Sequence, residues 1–554
     1  MWGYGCHAPG CPPCTWSRFS TANGYPDEVA ALTPGGAHAK PSVTFAARAI
    51  PWVLAAGVAA RVATYVSNRS LWLDEAMLAL NIDQRSFAGL TGSLDFNQAA
   101  PLGFLWLEKL VVTVFGPSEF ALRVWPLLAS VLTLFLFARI SRRLLRPQAA
   151  LFAIALMSLS TSLVYYAAEV KQYAFDVLLA TVILFVGLSH DDNGETRWVT
   201  LGVIGTLGVW FSHPLIFSLP GIALYVWLRP ISPSHEARPR SARIRPLLAI
   251  GFLWSASFAA AYFLTERDVS RNPLMARFWL EGFMPVPPTN AADFDWFVAS
   301  ASGWLRNVFD FSETVSVVRT IAIWIAGVFA ALGFIGGWTR HRLWLAAVGS
   351  PVALAIAASA ATLYPFKGRL ILFLVPSTLV LIGWGLEEAT EAATRAGRTR
   401  FHRALAFVSQ AAAIGLIGCA ATVLGGWLKN PYREELRPVL QHVVERSRPG
   451  DVIYVHSGAR HAFLFYQRTC PSCVAAGATV VPGRFLADRE VEIDKDLASL
   501  PRTGRIWMLF AHAWWGYSDL ERTRLTEAVE AHAKRSEVFE APGARAYLFD
   551  LGAP

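Results

Sequence analysis

Charged residues are scarce in this chain of 554 residues: Asp, Glu, Lys and Arg make up 16% of it, whereas 54% is hydrophobic. Apolar runs of about 20 residues recur, which is the length that a helix needs to cross a bilayer. The composition therefore predicts an integral membrane protein and argues against an ordinary soluble one.

Residues 1–42 lack the apolar stretch of a cleavable signal peptide and are rich in clustered Gly, Pro and Cys. They are predicted to form a disordered cytoplasmic leader, which carries no information about the fold.

Cysteine is rare as well, with six in the chain. Cys6, His7, Cys11 and Cys14 lie close together and could be zinc ligands, but no fold is expected around them, and we predict no metal site. Cys470 and Cys473, in TCPSC, could form a short disulfide or remain thiols.

Apolar segments predict a membrane domain over residues 43–428 with about eleven transmembrane helices. The predicted spans are 43–66, 120–140, 148–166, 173–190, 198–212, 214–229, 246–264, 316–338, 342–363, 369–387 and 404–428.

Arginines in short loops give the orientation, because positive charge is retained in the cytoplasm. Clusters within 139–146 and 229–245 place those loops inside. The apolar segment 101–116 is too short for a span and is predicted to lie along the outer interface. The N-terminus is then cytoplasmic, and the loops 67–119 and 265–315 are outside.

Residues 429–554 change character and predict a soluble extracytoplasmic α/β domain. DVIYVHSG, RIWMLFAH and ARAYLFDL are typical of strands, and residues 519–535 of an amphipathic helix. No Gly-rich phosphate motif follows the first of these strands, so the domain is expected to act as a lid or docking surface rather than in chemistry.

The stretch LWLDEAMLAL places Asp74 and Glu75 just outside the first predicted span. Adjacent residues on a helix point about 100° apart, so the two carboxylates cannot serve one atom equally. One could act as a base while the other positions a ligand or pairs with a cation. If the Asp-Glu pair is considered alone, the alternative interpretation is that it lies in a solvated loop and has no catalytic role.

An ordered set of segments resembles the bacterial GT-C membrane glycosyltransferases, especially the protein O-mannosyltransferase-like and aminoarabinose-transferase-like enzymes and their rhizobial lipopolysaccharide relatives. The segments are LWLDEAMLALNI, NQAAPLGFLWLEKLVVTVFG, SEFALRVWPLLASVLTLF, YYAAEVKQYAFDVLLA, YPFKGRLILFLVPSTLVLIGWGLE and EELRPVLQHVVERSRPGDVIYV.

The resemblance implies transfer of a hexose or pentose from a polyprenyl-phosphate carrier to a lipid, polysaccharide or protein acceptor at the outer face of a bacterial inner membrane. It implies an inverting displacement with Asp74 as the base and Glu75 as its partner. A lipid phosphate is already a good leaving group, so no general acid is required. Membrane lipids are expected partners and nucleic acid is not; no cofactor is predicted, although some relatives use a divalent cation.

Cations are expected around the leaving phosphate. Arg123 matches a family arginine that contacts the donor phosphate, and Lys171 stands where many relatives have arginine. Lys367 and Arg369, in YPFKGR, lie in an outer loop against the positive-inside trend. Phosphate binding or interfacial snorkelling would explain them.

Three further residues are candidates for the substrate-binding site. Glu169 is a second acid or metal ligand, unless it simply pairs with Lys171 or Arg123. Gln98 stands where relatives carry a polar residue and could line the pocket. His213, at a helix break before a proline, could touch substrate or hydrogen-bond to the backbone.

Two other functions remain open. A flippase or transporter of lipid-linked glycans is expected to show internal repeats and midplane charges, and the sequence shows neither. A non-catalytic assembly subunit would use the C-terminal domain as a binding module.

Overall fold

The computed structural model describes residues 41–189, 198–229, 241–310, 316–395, 400–475, 477–484, 495–512 and 516–552. The predicted leader, with its three clustered cysteines, lies outside the described residues except for its last two positions. The helices are α1 Pro41–Val66, α2 Leu73–Gln84, α3 Leu102–Phe115, α4 Glu119–Leu144, α5 Pro147–Leu159, α6 Thr161–Tyr166, α7 Tyr173–Ser189, α8 Trp198–Gly208, α9 Leu219–Leu228, α10 Ser241–Ala261, α11 Arg267–Ser270, α12 Pro273–Phe278, α13 Ala291–Arg306, α14 Val317–Arg340, α15 Arg342–Ala360, α16 Val375–Arg395, α17 Arg400–Lys429, α18 Leu436–Arg446, α19 Ser457–Thr469 and α20 Gly516–Glu530. The strands are β1 Val452–Val455, β2 Thr479–Pro482, β3 Arg505–Ala511, β4 Lys534–Ala541 and β5 Ala544–Asp550.

Within these residues, seven helical segments are long and apolar enough to cross a membrane: Phe45–Val66, Glu119–Leu144, Arg243–Ser270, Val317–Arg340, Arg342–Ala360, Gly368–Glu391 and Arg403–Lys429. The other four predicted spans coincide with the shorter apolar segments Pro147–Leu159, Tyr173–Leu188, Trp198–Gly208 and His213–Leu228. The predicted polytopic helical fold is confirmed, while the number of about eleven crossings stays a prediction.

The helix α16 lies at the centre of the helical domain, with 94% of its apolar span buried. Its glycine Gly385 packs against the backbone of α14, where an added Cβ would lie 1.7 Å from the Phe329 carbonyl oxygen. Gly333 of α14 makes the reciprocal approach, with 1.8 Å to the Leu381 carbonyl oxygen. Small residues allow two helices to come this close. The tight pair holds α16 in place, together with the short 3-10 helix Gly368–Leu374 that leads into it.

The predicted interfacial segment 101–116 is a helix, α3, and its polar middle faces the protein. Glu108 is fully buried, and burial raises the pKa of its carboxyl well above the usual range. Lys109 donates to the carbonyl oxygens of Ile82 and Asp83 at 3.0 Å, in the last turn of α2. A cation suits the negative end of a helix dipole, so α3 holds the C-terminal end of α2 in place.

The C-terminal domain is a five-stranded sheet in the order β2-β1-β3-β5-β4. Strand β1 pairs in parallel with β2 and β3, whereas β5 runs antiparallel to β3 and β4. Three strands and one helix of this domain follow the sequence prediction. The prediction was wrong at residues 531–535: the helix ends at Glu530, and residues 534–535 begin β4. The sequence of β4, KRSEVFEA, is mostly polar, and its pairing with β5 decides its conformation.

Successive side chains of a strand point to opposite faces of the sheet. The two faces of this sheet therefore pack into different apolar cores. On one face, Tyr454 and Met508 pack with Leu525 of α20. On the other, Ile453 and Trp507 belong to a cluster that includes residues of α18, α19, α2 and α3. One apolar core therefore joins the C-terminal domain to α2, the helix that carries the acidic pair.

The TCPSC segment lies just after α19. Cys470 and Cys473 form a disulfide there, which decides between the two alternatives that the sequence left open. A disulfide fits the oxidising compartment predicted for this domain.

Side-chain oxygens of the C-terminal domain accept hydrogen bonds from backbone amides at the start of α2 and just before it. The Ser70 amide donates to Glu435 Oε1 at 3.0 Å, the Leu71 amide to the Tyr466 hydroxyl at 2.8 Å, and the Leu73 amide to Glu434 Oε2 at 3.1 Å. The first amides of a helix have no partner within the helix. Docking of the C-terminal domain supplies a partner for the first amide of α2, at Leu73, and for two amides of the segment in front of it, and thereby fixes the start of the helix.

Candidate active site

Asp74 and Glu75 both lie in the first turn of α2, where the helix dipole favours negative charge. Their side chains have separate surroundings, as the angle between adjacent helical residues predicts. Glu75 is fully buried and pairs with two nitrogens of one guanidinium: Arg123 Nη2 lies 2.7 Å from Oε2, and Arg123 Nε lies 3.0 Å from Oε1. The Val170 amide also donates to Glu75 Oε1 at 2.8 Å.

Arg123 directs its remaining donors to the protein backbone. Nη1 lies 2.7 Å from the Arg69 carbonyl oxygen, and Nη2 lies 3.4 Å from that of Ser70. Only 1% of this residue is exposed. In this conformation Arg123 ties α4 to α2 through Glu75. Its predicted phosphate contact stays a prediction.

Asp74 lies between two cations. The Lys171 ammonium is 3.1 Å from Oδ1, and Arg369 Nη2 is 2.6 Å from Oδ2. Lys171 also donates to the Gln98 side-chain oxygen at 2.6 Å. Four predicted site residues, from α2, the segment before α3, the α6–α7 loop and the 3-10 helix before α16, are thus brought together.

Burial acts to raise the pKa of Asp74, but the charges of Lys171 and Arg369 outweigh it and hold the pKa well below its usual range. Burial and Arg369 together lower the pKa of Lys171, against the opposing effect of Asp74. Side-chain exposure is 16% for Asp74 and 21% for Arg369, compared with 0% for Glu75. We define the Asp74 cluster as Asp74, Lys171, Arg369 and Gln98. Solvent or a substrate can reach it at Asp74 and Arg369, whereas Lys171 and Gln98 are buried.

Aromatic rings border this cluster. The Arg369 guanidinium lies over Trp72, 5.6 Å from its ring centroid, and over Tyr173 at 5.7 Å. Arg433, which follows α17, lies over the same Trp72 ring at 4.3 Å. Arginine stacks favourably on aromatic faces. These contacts hold cations at the edge of the site while leaving guanidinium N–H groups to bind something else.

Glu169 lies behind the cluster, on the side of Glu75. It is fully buried, and its nearest cation is Arg69 Nη2 at 3.9 Å, not Lys171 or Arg123 as one alternative proposed. Burial and the charge of Glu75 raise the pKa of Glu169, although Arg69 opposes them. The Arg69 guanidinium in turn stacks on an aromatic ring of α6, at 4.2 Å from the centroid.

Two predicted site residues lie elsewhere. Lys367 pairs with Glu281 at 2.7 Å, and both side chains are exposed. His213 Nδ1 lies 2.9 Å from Glu266 Oε1, just after α10. The structure thus separates Lys367 from Arg369, although they are two positions apart in the sequence.

Three residues of the site escaped sequence reasoning: Arg69, Trp72 and Arg433. Arg69 follows the outer end of the first span, so the rule that drew attention to Lys367 and Arg369 could have found it. Arg433 lies in a soluble segment where arginine is ordinary. Within the described part of the chain, no three His, Cys, Asp or Glu side chains form a group that could hold a metal ion.

Residues 99–242, about a quarter of the chain, match the family model described as dolichyl-phosphate-mannose-protein mannosyltransferase. The predicted resemblance to GT-C membrane glycosyltransferases is thereby confirmed. The matched region contains Arg123, Glu169 and Lys171, whereas Asp74 and Arg369 lie outside it.

Two solved structures similar to this chain are those of ArnT from Cupriavidus metallidurans. The apo structure is 15% identical, covers 92% of this chain and all of its own chain, and gives a TM-score of 0.49. The structure bound to undecaprenyl phosphate is 16% identical, covers 91% of this chain and all of its own, and gives a TM-score of 0.46. No curated protein matches the chain significantly.

Proposed function

We propose that the protein transfers a sugar from a polyprenyl-phosphate carrier to a hydroxyl group on the outer face of the membrane, with Asp74 as the base. The observation that carries this proposal is the Asp74 cluster, a carboxylate between two cations at a partly exposed position. The family match to residues 99–242 supports it, since that family is named for a lipid-phosphate sugar donor.

Lys171 and Arg369 suit the donor phosphate. They share one carboxylate, so one positive charge of the cluster is left without a directly paired anion among the described residues. Arg369 Nε is buried and has no hydrogen-bond partner in the same part of the chain. A buried donor without a partner is unfavourable, and a phosphate oxygen would satisfy it.

Binding of the phosphate would also activate Asp74. A carboxylate whose pKa is held very low is a weak base, and a general base works best with a pKa near the working pH. Once the phosphate shares Lys171 and Arg369, their effect on Asp74 weakens and its pKa rises. The base therefore becomes effective only when the donor is in place.

The transfer is a single displacement. The acceptor oxygen forms a bond to the anomeric carbon, while the bond from that carbon to the phosphate oxygen breaks. The electron pair of the broken bond stays on the phosphate, and the acceptor proton moves to Asp74. Attack from the face opposite the phosphate inverts the anomeric configuration.

Glu75 and Arg123 have a positioning role in this proposal. Their paired contacts hold α2 against α4, and the Val170 amide links Glu75 to the loop that carries Lys171. The sugar and the acceptor, whether a lipid, a polysaccharide or a protein, are not defined by these contacts. A place in the bacterial inner membrane, with the C-terminal domain in the periplasm, completes the proposal.

The experiment is to measure release of polyprenyl phosphate by mass spectrometry. The full chain would be given a panel of polyprenyl-phosphate sugars together with a native membrane extract as the source of acceptor. We expect release by the wild type and its loss in Asp74→Asn. The donor that supports release identifies the sugar.

Asp83→Asn is the matched control, because Asp83 lies at the other end of the same helix and pairs with Arg468 at 2.8 Å. It should release polyprenyl phosphate as the wild type does. Equal release by wild type and Asp74→Asn would exclude Asp74 as the base. No release with any donor would favour the transporter or the assembly subunit.

A further inference from the structure

Arg433 lies in the six residues between α17 and α18, where the chain leaves the helical domain. The next two residues, Glu434 and Glu435, bind the backbone amides of Leu73 and Ser70. These contacts fix the backbone around Arg433 against the start of α2. Arg433 therefore occupies a defined position beside the acidic pair.

The guanidinium of Arg433 shares an aromatic ring with Arg369. Both lie over Trp72, at 4.3 Å and 5.6 Å from its ring centroid, and Trp72 is two residues before Asp74. Arg433 Nη1 also donates to the Tyr165 hydroxyl at 3.0 Å. The two arginines come from segments far apart in the chain, one before α16 and one after α17, and meet at one site.

Arg433 differs from the other arginines of the site in the way its charge is balanced. Arg123 pairs with a carboxylate of α2, and so does Arg369. Among the described residues, no carboxylate lies within ion-pair distance of Arg433, and the charges of Glu169 and Glu434 act on it only from farther away. Its one hydrogen bond within this part of the chain is to Tyr165. A guanidinium has five N–H donors, so most of those on Arg433 remain available for an anion.

We propose that Arg433 is a binding residue for the donor phosphate, supplied by the segment that leads into the C-terminal domain. This inference rests on the function proposed above, and it adds a cation that no family motif indicated. Docking of the C-terminal domain then completes the phosphate site, because the contacts of Glu434 and Glu435 with the backbone at the start of α2 also place Arg433.

The alternative is that Arg433 only ties the domain to α6 through Tyr165. The two roles differ in their dependence on the phosphate. A tether would affect binding of a polyprenyl phosphate and of the uncharged polyprenol alike, whereas a phosphate ligand would affect only the former.

The test compares the binding of undecaprenyl phosphate and undecaprenol to the full chain in lipid nanodiscs, by native mass spectrometry. We expect Arg433→Gln to weaken the binding of undecaprenyl phosphate by about tenfold or more, since a charge-assisted hydrogen bond is lost. The binding of undecaprenol should not change. Arg433→Lys should restore part of the affinity. Arg468→Gln is the matched control, because Arg468 joins the same domain to α2 through Asp83, and it should change neither lipid.

The inference would be overturned if Arg433→Gln weakened the binding of both lipids equally, or if it weakened the binding of neither. Arg369→Gln separates this failure from that of the proposed function. If Arg369→Gln weakens the binding of undecaprenyl phosphate and Arg433→Gln does not, only the role of Arg433 is wrong. If neither variant weakens this binding, the proposed phosphate site itself is wrong.

A measurement on the wild type guards against misfolded variants. Phenylglyoxal modifies accessible arginines, and the peptide that contains Arg433 can be followed by mass spectrometry. Undecaprenyl phosphate should protect Arg433 from modification, while undecaprenol should not. Modification at the same rate with both lipids would also overturn the inference.

Discussion

Asp74 and Glu75 are neighbours on one turn of α2, yet they belong to two clusters with different properties. Glu75 is fully buried and is matched by two nitrogens of one guanidinium, so its charge is balanced within the protein. Asp74 is partly exposed and shares two cations, so its cluster carries surplus positive charge. The charge of one carboxylate is therefore satisfied inside the protein, while the other lies where a ligand can reach it.

The strongest loss of activity is expected from Asp74→Asn, which removes the proposed base and leaves Glu75 with its partner. We expect the rate of sugar transfer to fall by about 100- to 10,000-fold, the usual contribution of a general base. The rate of polyprenyl phosphate release measures this. Asn keeps the size of the side chain, so the variant should remain folded, and its unfolding temperature checks that it does.

Glu75→Gln tests the structural half of the comparison. It leaves the Arg123 guanidinium buried without a charged partner, and such a loss destabilises proteins by about 3–5 kcal/mol. The unfolding transition of the purified protein measures this. If Glu75→Gln abolished transfer without lowering stability, while Asp74→Asn stayed active, the two roles would have to be exchanged.

A smaller effect is expected from Glu434→Ala, which removes the acceptor of the Leu73 amide at the start of α2 and the partner of His512 Nδ1. Loss of a helix cap destabilises by about 1 kcal/mol. Both clusters depend on the start of α2, so transfer should weaken together with stability. Glu445→Ala, at an exposed position of α18, is the control and should leave both unchanged.

The effect of pH on the free energy of unfolding is expected to be smaller than the effects of these substitutions. It distinguishes the surroundings of Glu75, where Glu169 lies, from those of Asp74. The pKa of Glu169, behind Glu75, is raised in the folded protein, so its contribution to stability is present below its unfolded pKa and is lost as the pH rises through the folded pKa. The stability of Glu169→Gln should therefore improve relative to the wild type as the pH rises from about 4 to about 8. Unfolding temperatures measured across this range test it.

The stability contribution of Asp74 depends on pH in the opposite direction, because its pKa is lowered in the folded protein. Its contribution is present above the unfolded pKa and is lost only in stronger acid. The difference in unfolding temperature between Asp74→Asn and the wild type should then stay constant between about pH 5 and about pH 8. Parallel curves for Glu169→Gln as well would contradict the assigned direction of its pKa shift.

Much of the site could be predicted from the sequence. Asp74, Lys171, Arg369 and Gln98 were each candidates, and the structure brings them into contact. Asp74 and Arg369 are conspicuous as charged residues next to apolar segments, where charge is costly. Lys171 and Gln98 were candidates because of the resemblance to the GT-C enzymes.

The partners of the other candidate cations could not be predicted. Lys367 pairs with Glu281 in an exposed loop, and Arg123 pairs with Glu75 in the interior. Such pairings depend on distances between segments that are remote in the chain, and charge patterns along the sequence do not contain those distances.

The helical membrane fold, the α/β tail and the chemical types of the site residues follow from the sequence alone, because apolar periodicity and charge placement are local properties. Tertiary contacts were needed to establish which carboxylate is buried and which is exposed. They also determine that Glu434 accepts from the first amide of α2, that Glu435 accepts from the Ser70 amide in front of it, and that Arg433 reaches Trp72. These features arise where the C-terminal domain docks, and docking depends on an apolar core shared by distant segments.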